Sequence, residues 1–161
     1  MRRARTEDAA TIWRIARDSK VLDLNSPYCY MVLCRDFSAT CFVAEVARKV
    51  VGFVIAYRVP TNPATLFVWQ IGVDKAHRGH GIGGQLLMSL VKKNARLSGT
   101  WLETTITTSN RASMALFEGL AQRMCAEMVE IPGFGAELFP NPGHEPEPRY
   151  RIGPLTVPES E

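Results

Sequence analysis

The residues from Leu66 to Leu90 constrain the fold of this chain more than any other stretch. The segment Leu66–Val73 is apolar, β-branched and aromatic, which predicts a buried strand. A glycine-rich run follows at residues 78–84, and leucines then recur at helical spacing, so a helix begins within the glycines. The first-turn N–H groups of such a helix lack intrahelical partners and carry the positive end of its dipole. Because glycines let the backbone approach a phosphate closely, this arrangement predicts a site for a pyrophosphate-bearing ligand.

Two other phosphate-binding patterns share features with the same loop. The run Gly79–Gly84 contains G-x-G-x-x-G, and Glu103 lies at about the spacing of a ribose-binding acid. However, a dinucleotide turn follows its strand almost at once, whereas residues 74–78 intervene here, and too little chain follows for further βαβ units. A P-loop is excluded because Gln85 stands where the motif needs its G-K-[ST] end. The dinucleotide interpretation is therefore the less favoured one.

The loop instead resembles the acetyl-CoA loop of the GCN5-related N-acetyltransferases. The match consists of Arg78-x-x-Gly81-x-Gly83 between a strand and a helix, and of Asn110-x-x-Ser113-x-x-Leu116-Phe117 after a strand predicted at 100–107. The resemblance implies an α/β (α+β) fold with a mixed central β-sheet flanked by helices, and acetyl-CoA as co-substrate without a metal. The cofactor contacts that it implies are Ile71, Val73, Arg78, Gly79, His80, Gly81, Gly83, Gly84, Asn110 and Phe117.

Length and composition suit a single compact domain. The chain has 161 residues, 46% of them hydrophobic, and a net charge of +3 that is too balanced to argue for nucleic acid or membrane. Since no apolar run reaches transmembrane length and no signal-peptide core is visible, we expect a cytoplasmic protein. Four cysteines without C-x-x-C spacing and three scattered histidines argue against zinc. A cysteine nucleophile is a less favoured alternative, because no histidine pairs visibly with a cysteine.

Periodicity and turn residues divide the chain into predicted elements. Helices are expected at 6–19, at 28–37 with Asn25 or Ser26 as cap and Pro27 in the first turn, after the glycines, and at 110–121. Strands are expected at 40–46, 50–59, 66–73, 100–107 and 128–131, with a loop at 132–135. Residues 137–161 hold six of the ten prolines. We therefore expect one acetyltransferase domain at 1–145 and an irregular Pro-rich tail at 146–161.

Segments outside the acetyl-CoA signature carry a closer resemblance. The stretches at 22–30, 66–73, 107–110 and 138–145 resemble the L-2,4-diaminobutyrate acetyltransferases of ectoine biosynthesis, and the similarity runs from about Thr6 to Glu145. It implies acetyl transfer from acetyl-CoA to the 4-amino group of L-2,4-diaminobutyrate by a homodimer. The pocket that it implies is lined by Asp23, Tyr28, Trp69, Glu103 and His144. Most of these have ordinary alternatives as core or surface residues, but an acid amid apolar neighbours, such as Glu103, needs a partner if buried.

The reaction sets requirements on the site. An alkyl amine with a pKa near 10 pays roughly 4 kcal/mol to be neutral at pH 7, so a carboxylate that binds it must also help to remove a proton. We expect Glu103 and Tyr28 to be catalytic, and Gly72 to permit a bulge that aims the Val73 N–H at the thioester carbonyl. Phe117 stands where many relatives have a tyrosine acid, so the thiolate leaves unassisted or takes its proton from elsewhere, for example from Tyr28 or Tyr30. Alternative functions are acetylation of another small diamine or amino acid, and a non-catalytic acyl-CoA sensor.

Overall fold

A computed structural model describes residues 1–95 and 99–155 of the chain. Within these residues the chain forms four α-helices and one seven-stranded sheet. The helices are α1 (Ala9–Ser19), α2 (Pro27–Asp36), α3 (Ile82–Asn94) and α4 (Arg111–Arg123). The strands are β1 (Arg2–Arg3), β2 (Phe42–Val46), β3 (Lys49–Val59), β4 (Asn62–Val73), β5 (Thr100–Thr105), β6 (Glu127–Phe134) and β7 (Glu147–Leu155). In this part of the chain, none of the helices is long and apolar enough to cross a membrane.

The sheet is mixed and is covered by helices on both faces. Its strand order is β1-β2-β3-β4-β5-β7-β6, and β4 with β5 is its parallel pair among the described strands. One core cluster contains residues of α1 and α2, such as Ile12 and Tyr30, together with Phe53 of β3. The other contains residues of α3 and α4, such as Leu87 and Phe117. The predicted mixed sheet flanked by helices is confirmed.

The parallel strands β4 and β5 separate before β4 ends. Their pairing runs from Thr65 opposite Trp101 to Val68 opposite Thr104, whereas β4 continues to Val73. Among the described residues, 69–73 have no partner on the β5 side, although 70–73 stay paired with β3. A cleft therefore opens in the sheet at the carboxyl end of β4, where α3 and α4 begin.

Local signals place the helices that surround this cleft. The Ser26 hydroxyl accepts a hydrogen bond from the Cys29 N–H at 3.2 Å, and Pro27 occupies the first turn, so the predicted start of α2 is confirmed. The Asn110 side-chain oxygen caps α4 by accepting from the Ser113 N–H at 3.1 Å. The first helix begins later than predicted, since Thr6–Asp8 form a 3₁₀ turn before α1.

The chain beyond residue 145 is not the irregular tail that its prolines predict. Residues 147–155 form β7, which pairs with β5 on one side and with β6 on the other. Pro154 lies where the β5–β7 register shifts, and Pro148 lies where the β6–β7 register shifts, so neither ring removes a ladder donor that the sheet needs. The predicted loop at 132–135 likewise belongs largely to β6, which ends at Phe134. Residues 156–161 of the predicted tail lie outside the described residues.

Candidate active site

One cavity of about 370 Å³ lies between the end of β4, the glycine-rich loop and the first turns of α3 and α4. It is lined by eight of the ten predicted cofactor residues: Ile71, Val73, Arg78, Gly79, Gly81, Gly83, Gly84 and Asn110. His77, Ser19, Val21 and Leu22 also line it. The fold therefore brings most of the predicted cofactor residues around a single space, which we call the loop cavity.

The start of α3 gives the loop cavity its anion-binding character. Gly81 is the N-cap with a left-handed φ of 73°, which glycine adopts without strain, and no side chain caps the helix there. The first intrahelical bond runs from the Gln85 N–H to the Gly81 carbonyl at 3.0 Å, so the preceding N–H groups of the first turn have no acceptor within the helix. A Cβ on Gly83 would lie 3.3 Å from Leu116. This glycine therefore lets α3 pack closely on α4.

Two predicted cofactor residues are not at the loop cavity. His80 is exposed, and its Nδ1 lies 3.0 Å from the Arg78 carbonyl in a local turn. Phe117 is 1% exposed and packs in the core beneath the sheet, because its position on α4 faces the apolar cluster. His77 lines the cavity instead and has a buried Nδ1 without a hydrogen-bond partner among the described residues.

The bulge in β4 is three residues earlier than predicted. Ile55 pairs with Gln70 and Ala56 pairs with Val68, which leaves Trp69 as the extra residue. The predicted bulge at Gly72 is wrong, since this residue pairs with Phe53 in regular register. Its lack of a side chain serves packing, because a Cβ there would lie 2.9 Å from the Phe53 ring.

The backbone of β4 still presents an amide to the cleft. The Asp74 N–H donates to the Val51 carbonyl at 2.8 Å, so it faces β3. Because successive amides of a strand point to opposite sides, the Val73 N–H faces away from β3 and towards the gap left by β5. The Arg78 Nε–H donates to the Val73 carbonyl at 3.0 Å and fixes this peptide against the loop.

A second cavity of about 600 Å³ adjoins the first on the α1–α2 side of the sheet. Val21, Leu22 and Asn110 line both cavities. The second one, which we call the acceptor cavity, is floored by Tyr57, Phe67, Trp69, Glu103, Thr105 and Arg149 and covered by residues 21–23 and by Leu138 and Phe139. Of the predicted substrate residues, Asp23, Trp69 and Glu103 line it directly.

Glu103 is buried and held by two arginines of β7. It is 3% exposed, and the Arg151 Nε–H and Nη2 both contact its Oε1 at 2.7 Å. Arg149 contacts the other carboxylate oxygen through Nη1 at 3.4 Å. The Glu103 carboxylate also raises the pKa of Tyr57, although burial of that phenol is the larger cause. The buried Glu103 carboxylate therefore has the partners that it needs. Both partners belong to the segment 146–161, which was predicted to be an irregular tail.

The predicted substrate residue His144 does not line the acceptor cavity itself but contacts Phe139, which does. His144 stacks on Phe139 with ring centroids 3.6 Å apart. Its Nδ1–H donates to the Glu145 carbonyl at 2.6 Å, because a carbonyl can only accept, so Nε2 is the unprotonated nitrogen of the neutral ring. One ligand atom each of Asp23, His144 and Glu147 lies within 4.8 Å of the other two. Such a set suits either an ammonium group or a divalent cation.

Tyr28 is not brought to either cavity. It is 73% exposed on the first turn of α2. Tyr30 points inward instead, and its hydroxyl donates to the Gln70 Oε1 at 2.9 Å, while burial raises the pKa of the phenol. The Gln70 amide in turn donates to the Asp23 carbonyl at 2.7 Å. This chain of bonds holds the loop that carries Asp23 over the cavity.

Sequence reasoning missed Gln70, Glu147 and Arg149. A glutamine inside an otherwise apolar strand was one available signal, because a buried amide needs partners. Charged residues occupy every second position at 147, 149 and 151, which is the spacing of one face of a strand. The prolines at 148 and 154 obscured this strand signal. Thr105 donates to Glu147 at 2.6 Å, so this acid is fixed to β5 as well.

The cysteines do not support a covalent acetyl-enzyme. None of the four lines either cavity. Burial raises the pKa of Cys34 to about 12 and that of Cys41 to about 11, so both are thiols near neutral pH. Direct transfer between bound substrates is the chemistry that this arrangement allows.

Comparison with known proteins identifies the family. Residues 5–121 match the model of the Acetyltransferase (GNAT) family. The chain is 50% identical over 157 residues to an L-2,4-diaminobutyric acid acetyltransferase of Streptomyces anulatus, covering 95% of this chain and 88% of that one. It is 49% identical over 148 residues to the one of Nocardia farcinica, covering 92% of this chain and 76% of that one.

A solved structure agrees with these relatives in fold and in sequence. The diaminobutyrate acetyltransferase of Paenibacillus lautus, in complex with L-2,4-diaminobutyric acid and coenzyme A, superposes with a TM-score of 0.91 at 43% identity, covering 97% of this chain and 95% of that one. Ard1 of Thermoplasma volcanium, at 17% identity and a TM-score of 0.75, shares the fold. This chain belongs to the L-2,4-diaminobutyric acid acetyltransferases, a family of the GNAT acetyltransferases.

Proposed function

We propose that the protein transfers the acetyl group of acetyl-CoA to the 4-amino group of L-2,4-diaminobutyrate, the acetylation step of ectoine biosynthesis. The observation that carries the proposal is the junction of the two cavities at the end of β4, which brings an anion-binding loop next to a pocket of mixed charges. The relatives named above and the complex of the P. lautus enzyme with diaminobutyrate and coenzyme A support it.

The loop cavity is the coenzyme half of the site. The free amides of the first turn of α3 bind the pyrophosphate, helped by the helix dipole. Arg78 holds the Val73 peptide. The part of acetyl-CoA between the pyrophosphate and the thioester then lies along the unpaired side of β4. The Val73 N–H then donates to the thioester carbonyl and stabilises the oxyanion of the tetrahedral intermediate.

The acceptor cavity matches the charges of diaminobutyrate, which carries two ammonium groups and one carboxylate. Glu103 on the floor and Asp23 on the cover bind the two nitrogens, and Trp69 beside the gap confines the chain between them. His144 faces Asp23 from the loop before β7. Tyr28, exposed on α2, has no part in this proposal for a single protomer.

The amine must lose a proton before or during attack on the thioester. Glu103 already contacts two guanidinium groups, which suits it for anchoring an ammonium rather than for accepting a proton. His144 is the better acceptor, because one of its ring nitrogens lies within 4.8 Å of a carboxylate oxygen of Asp23 and a neutral imidazole has one unprotonated nitrogen that can take a proton. Collapse of the intermediate releases the CoA thiolate, whose conjugate acid has a pKa of only about 8.5, so departure does not need a tyrosine at position 117.

Steady-state kinetics with acetyl-CoA and a panel of amines tests the proposal. Release of the CoA thiol is measured with L-2,4-diaminobutyrate, ornithine, lysine and putrescine. We expect the highest kcat/KM with diaminobutyrate, because the cavity lining supplies acids for its two nitrogens and the relatives that support the proposal are diaminobutyrate acetyltransferases. Higher kcat/KM with another amine would refute this acceptor, and tight CoA binding without turnover of any amine would establish an acyl-CoA sensor.

We also propose that the protein is a cytoplasmic homodimer whose single domain extends through β7. Three apolar side chains on or next to α2 are exposed, and they support a second copy as partner: Leu24 at 48%, Tyr28 at 73% and Met31 at 41%. Light scattering of the purified chain measures its mass. A mass of one chain across micromolar concentrations would exclude the dimer.

A further inference from the structure

Arg149 is the positively charged group of the acceptor cavity that is not fully occupied by a protein partner. Its one described ion pair is the 3.4 Å contact from Nη1 to Glu103. Its Nε is buried and, within residues 1–95 and 99–155, has no hydrogen-bond acceptor. A buried donor without an acceptor is disfavoured, so a ligand that supplies one gains affinity.

The neighbouring arginine of the same strand is already satisfied. Arg151 makes two contacts of 2.7 Å to Glu103, through Nε and Nη2. Its guanidinium also lies over the Trp101 ring, 5.5 Å from the centroid, and Arg151 is not among the residues lining the cavity. The two arginines therefore differ in role, although they pair with the same carboxylate.

The surroundings of Arg149 define the ligand group that fits it. Arg149 stands between two acids that face the same cavity, Glu103 on β5 and Glu147 on its own strand, and it lies opposite Thr105 in the sheet. Thr105 already donates to Glu147. A planar guanidinium beside carboxylates that bind ammonium groups matches the α-carboxylate of an amino acid, which lies next to its 2-ammonium group.

We infer that Arg149 binds the α-carboxylate of the acceptor and selects the amino acid over the corresponding diamine. This inference rests on the proposed function and adds a specificity residue to it. Anchoring the carboxylate and 2-ammonium group at β7 and β5 leaves the 4-amino group free to reach the end of β4, so the same contact favours acetylation at the 4-position.

The test compares two acceptors that differ by one group. 1,3-Diaminopropane is diaminobutyrate without its carboxylate, so the ratio of their kcat/KM values reports the carboxylate contact. The wild type should strongly prefer diaminobutyrate. Arg149→Met should lower kcat/KM for diaminobutyrate roughly 10- to 150-fold more than kcat/KM for diaminopropane, as for a lost charged hydrogen bond, so that the ratio collapses. Arg149→Lys, which keeps the charge without the planar fork, should fall between them.

Arg151→Met is the matched control, because it also removes one arginine partner of Glu103 but no group lining the cavity. It should change the rates with both acceptors by a similar factor and keep their ratio. Thermal unfolding and the KM for acetyl-CoA show whether each variant is folded. If Arg149→Met does not fold, the ratio of the two acceptors is measured with Arg149→Lys instead.

Three results would overturn the inference, and they separate it from the proposed function. If the wild type acetylates diaminobutyrate but Arg149→Met and Arg149→Lys keep the wild-type ratio, Arg149 does not bind the carboxylate. If the wild type acetylates both acceptors equally well, the site does not distinguish acceptors by their carboxylate. If it acetylates neither, the proposed function fails as well.

Discussion

Replacing Glu103 by glutamine tests the acceptor cavity most severely, because the side chain keeps its size and loses only its charge. Three carboxylates face this region, from Asp23, Glu103 and Glu147, and two guanidinium groups oppose them, from Arg149 and Arg151. The surroundings thus carry one net negative charge for a substrate with one net positive charge. The substitution removes that match.

The size of the effect follows from burial and distance. A unit charge pair about 4 Å apart interacts by roughly 4 kcal/mol at an effective dielectric constant of ~20. The cavity opens to solvent, so we expect about 2–3 kcal/mol for the lost ammonium contact, which lowers kcat/KM for diaminobutyrate about 30- to 150-fold. The arginine side chains are 38% and 37% exposed, so water partly replaces their lost partner. The free energy of unfolding should therefore fall by only about 1–2 kcal/mol, less than for a fully buried pair.

The assay measures kcat/KM for diaminobutyrate, the KM for acetyl-CoA and urea unfolding on the same preparation. The KM for acetyl-CoA should stay within about twofold, because Glu103 does not line the loop cavity. Glu130→Gln is the control: it removes a charge from the exposed side of β6, where Glu130 accepts from the Tyr150 hydroxyl at 3.3 Å. A Glu103→Gln enzyme with kcat/KM within about threefold of wild type would refute the placement of the substrate on Glu103.

Two further predictions concern the loop and the N-terminal segment. Gly81→Val should cost about 1–2 kcal/mol at a φ of 73° and shift the first-turn amides of α3, so the affinity for CoA measured by calorimetry should fall at least tenfold. Asp8→Asn should lower the free energy of unfolding by about 1–3 kcal/mol at pH 7. Although burial alone favours the neutral acid, hydrogen bonds from the Arg2 side chain and the Arg5 N–H hold the pKa of Asp8 below its usual range. Its stabilisation is therefore present above about pH 4 and is lost as the pH falls through the lowered pKa.

The Gly81→Val and Asp8→Asn predictions each have a control or comparison and a result that would contradict them. Gly119→Ala places a side chain in open space on α4 at an ordinary φ, so CoA affinity should not change. Unchanged affinity in Gly81→Val would mean that the loop does not bind the pyrophosphate. For Asp8, urea unfolding is followed from pH 7 to pH 3, and the wild-type and Asp8→Asn curves should converge. A constant gap between them would show that the Asp8 charge is not the source of the stability.

The parts of the site predicted from sequence are those with local causes. The apolar run that became β4 and the helix starts at the glycines and near residue 110 each depend on a few neighbouring residues, so the sequence pattern predicts them. The loop cavity forms where the end of β4 and the starts of α3 and α4 come together. Asp23, Trp69 and Glu103 were placed by resemblance alone, and their common lining of one cavity depends on contacts that span most of the chain.

What the sequence did not predict depends on contacts between distant segments. β7 forms because β5 and β6 flank it on both sides, which outweighs the low strand propensity of its prolines at register shifts. The bulge in β4 falls at Trp69 rather than Gly72 because pairing with β3 decides it. Tyr28 and Tyr30 are two residues apart on α2, and only the packing of that helix determines which of them turns inward.

The most direct test of the account is the identity of the product. In free diaminobutyrate the 2-amino group should have a pKa lower than that of the 4-amino group by about two units, so solution chemistry does not favour reaction at the 4-position. Two-dimensional NMR of the product formed by the wild-type enzyme from acetyl-CoA and L-2,4-diaminobutyrate assigns the acetylated nitrogen. We expect the 4-N-acetyl product alone, whereas the 2-N-acetyl product, or a mixture of the two, would show that the site does not direct acetylation to the 4-amino group.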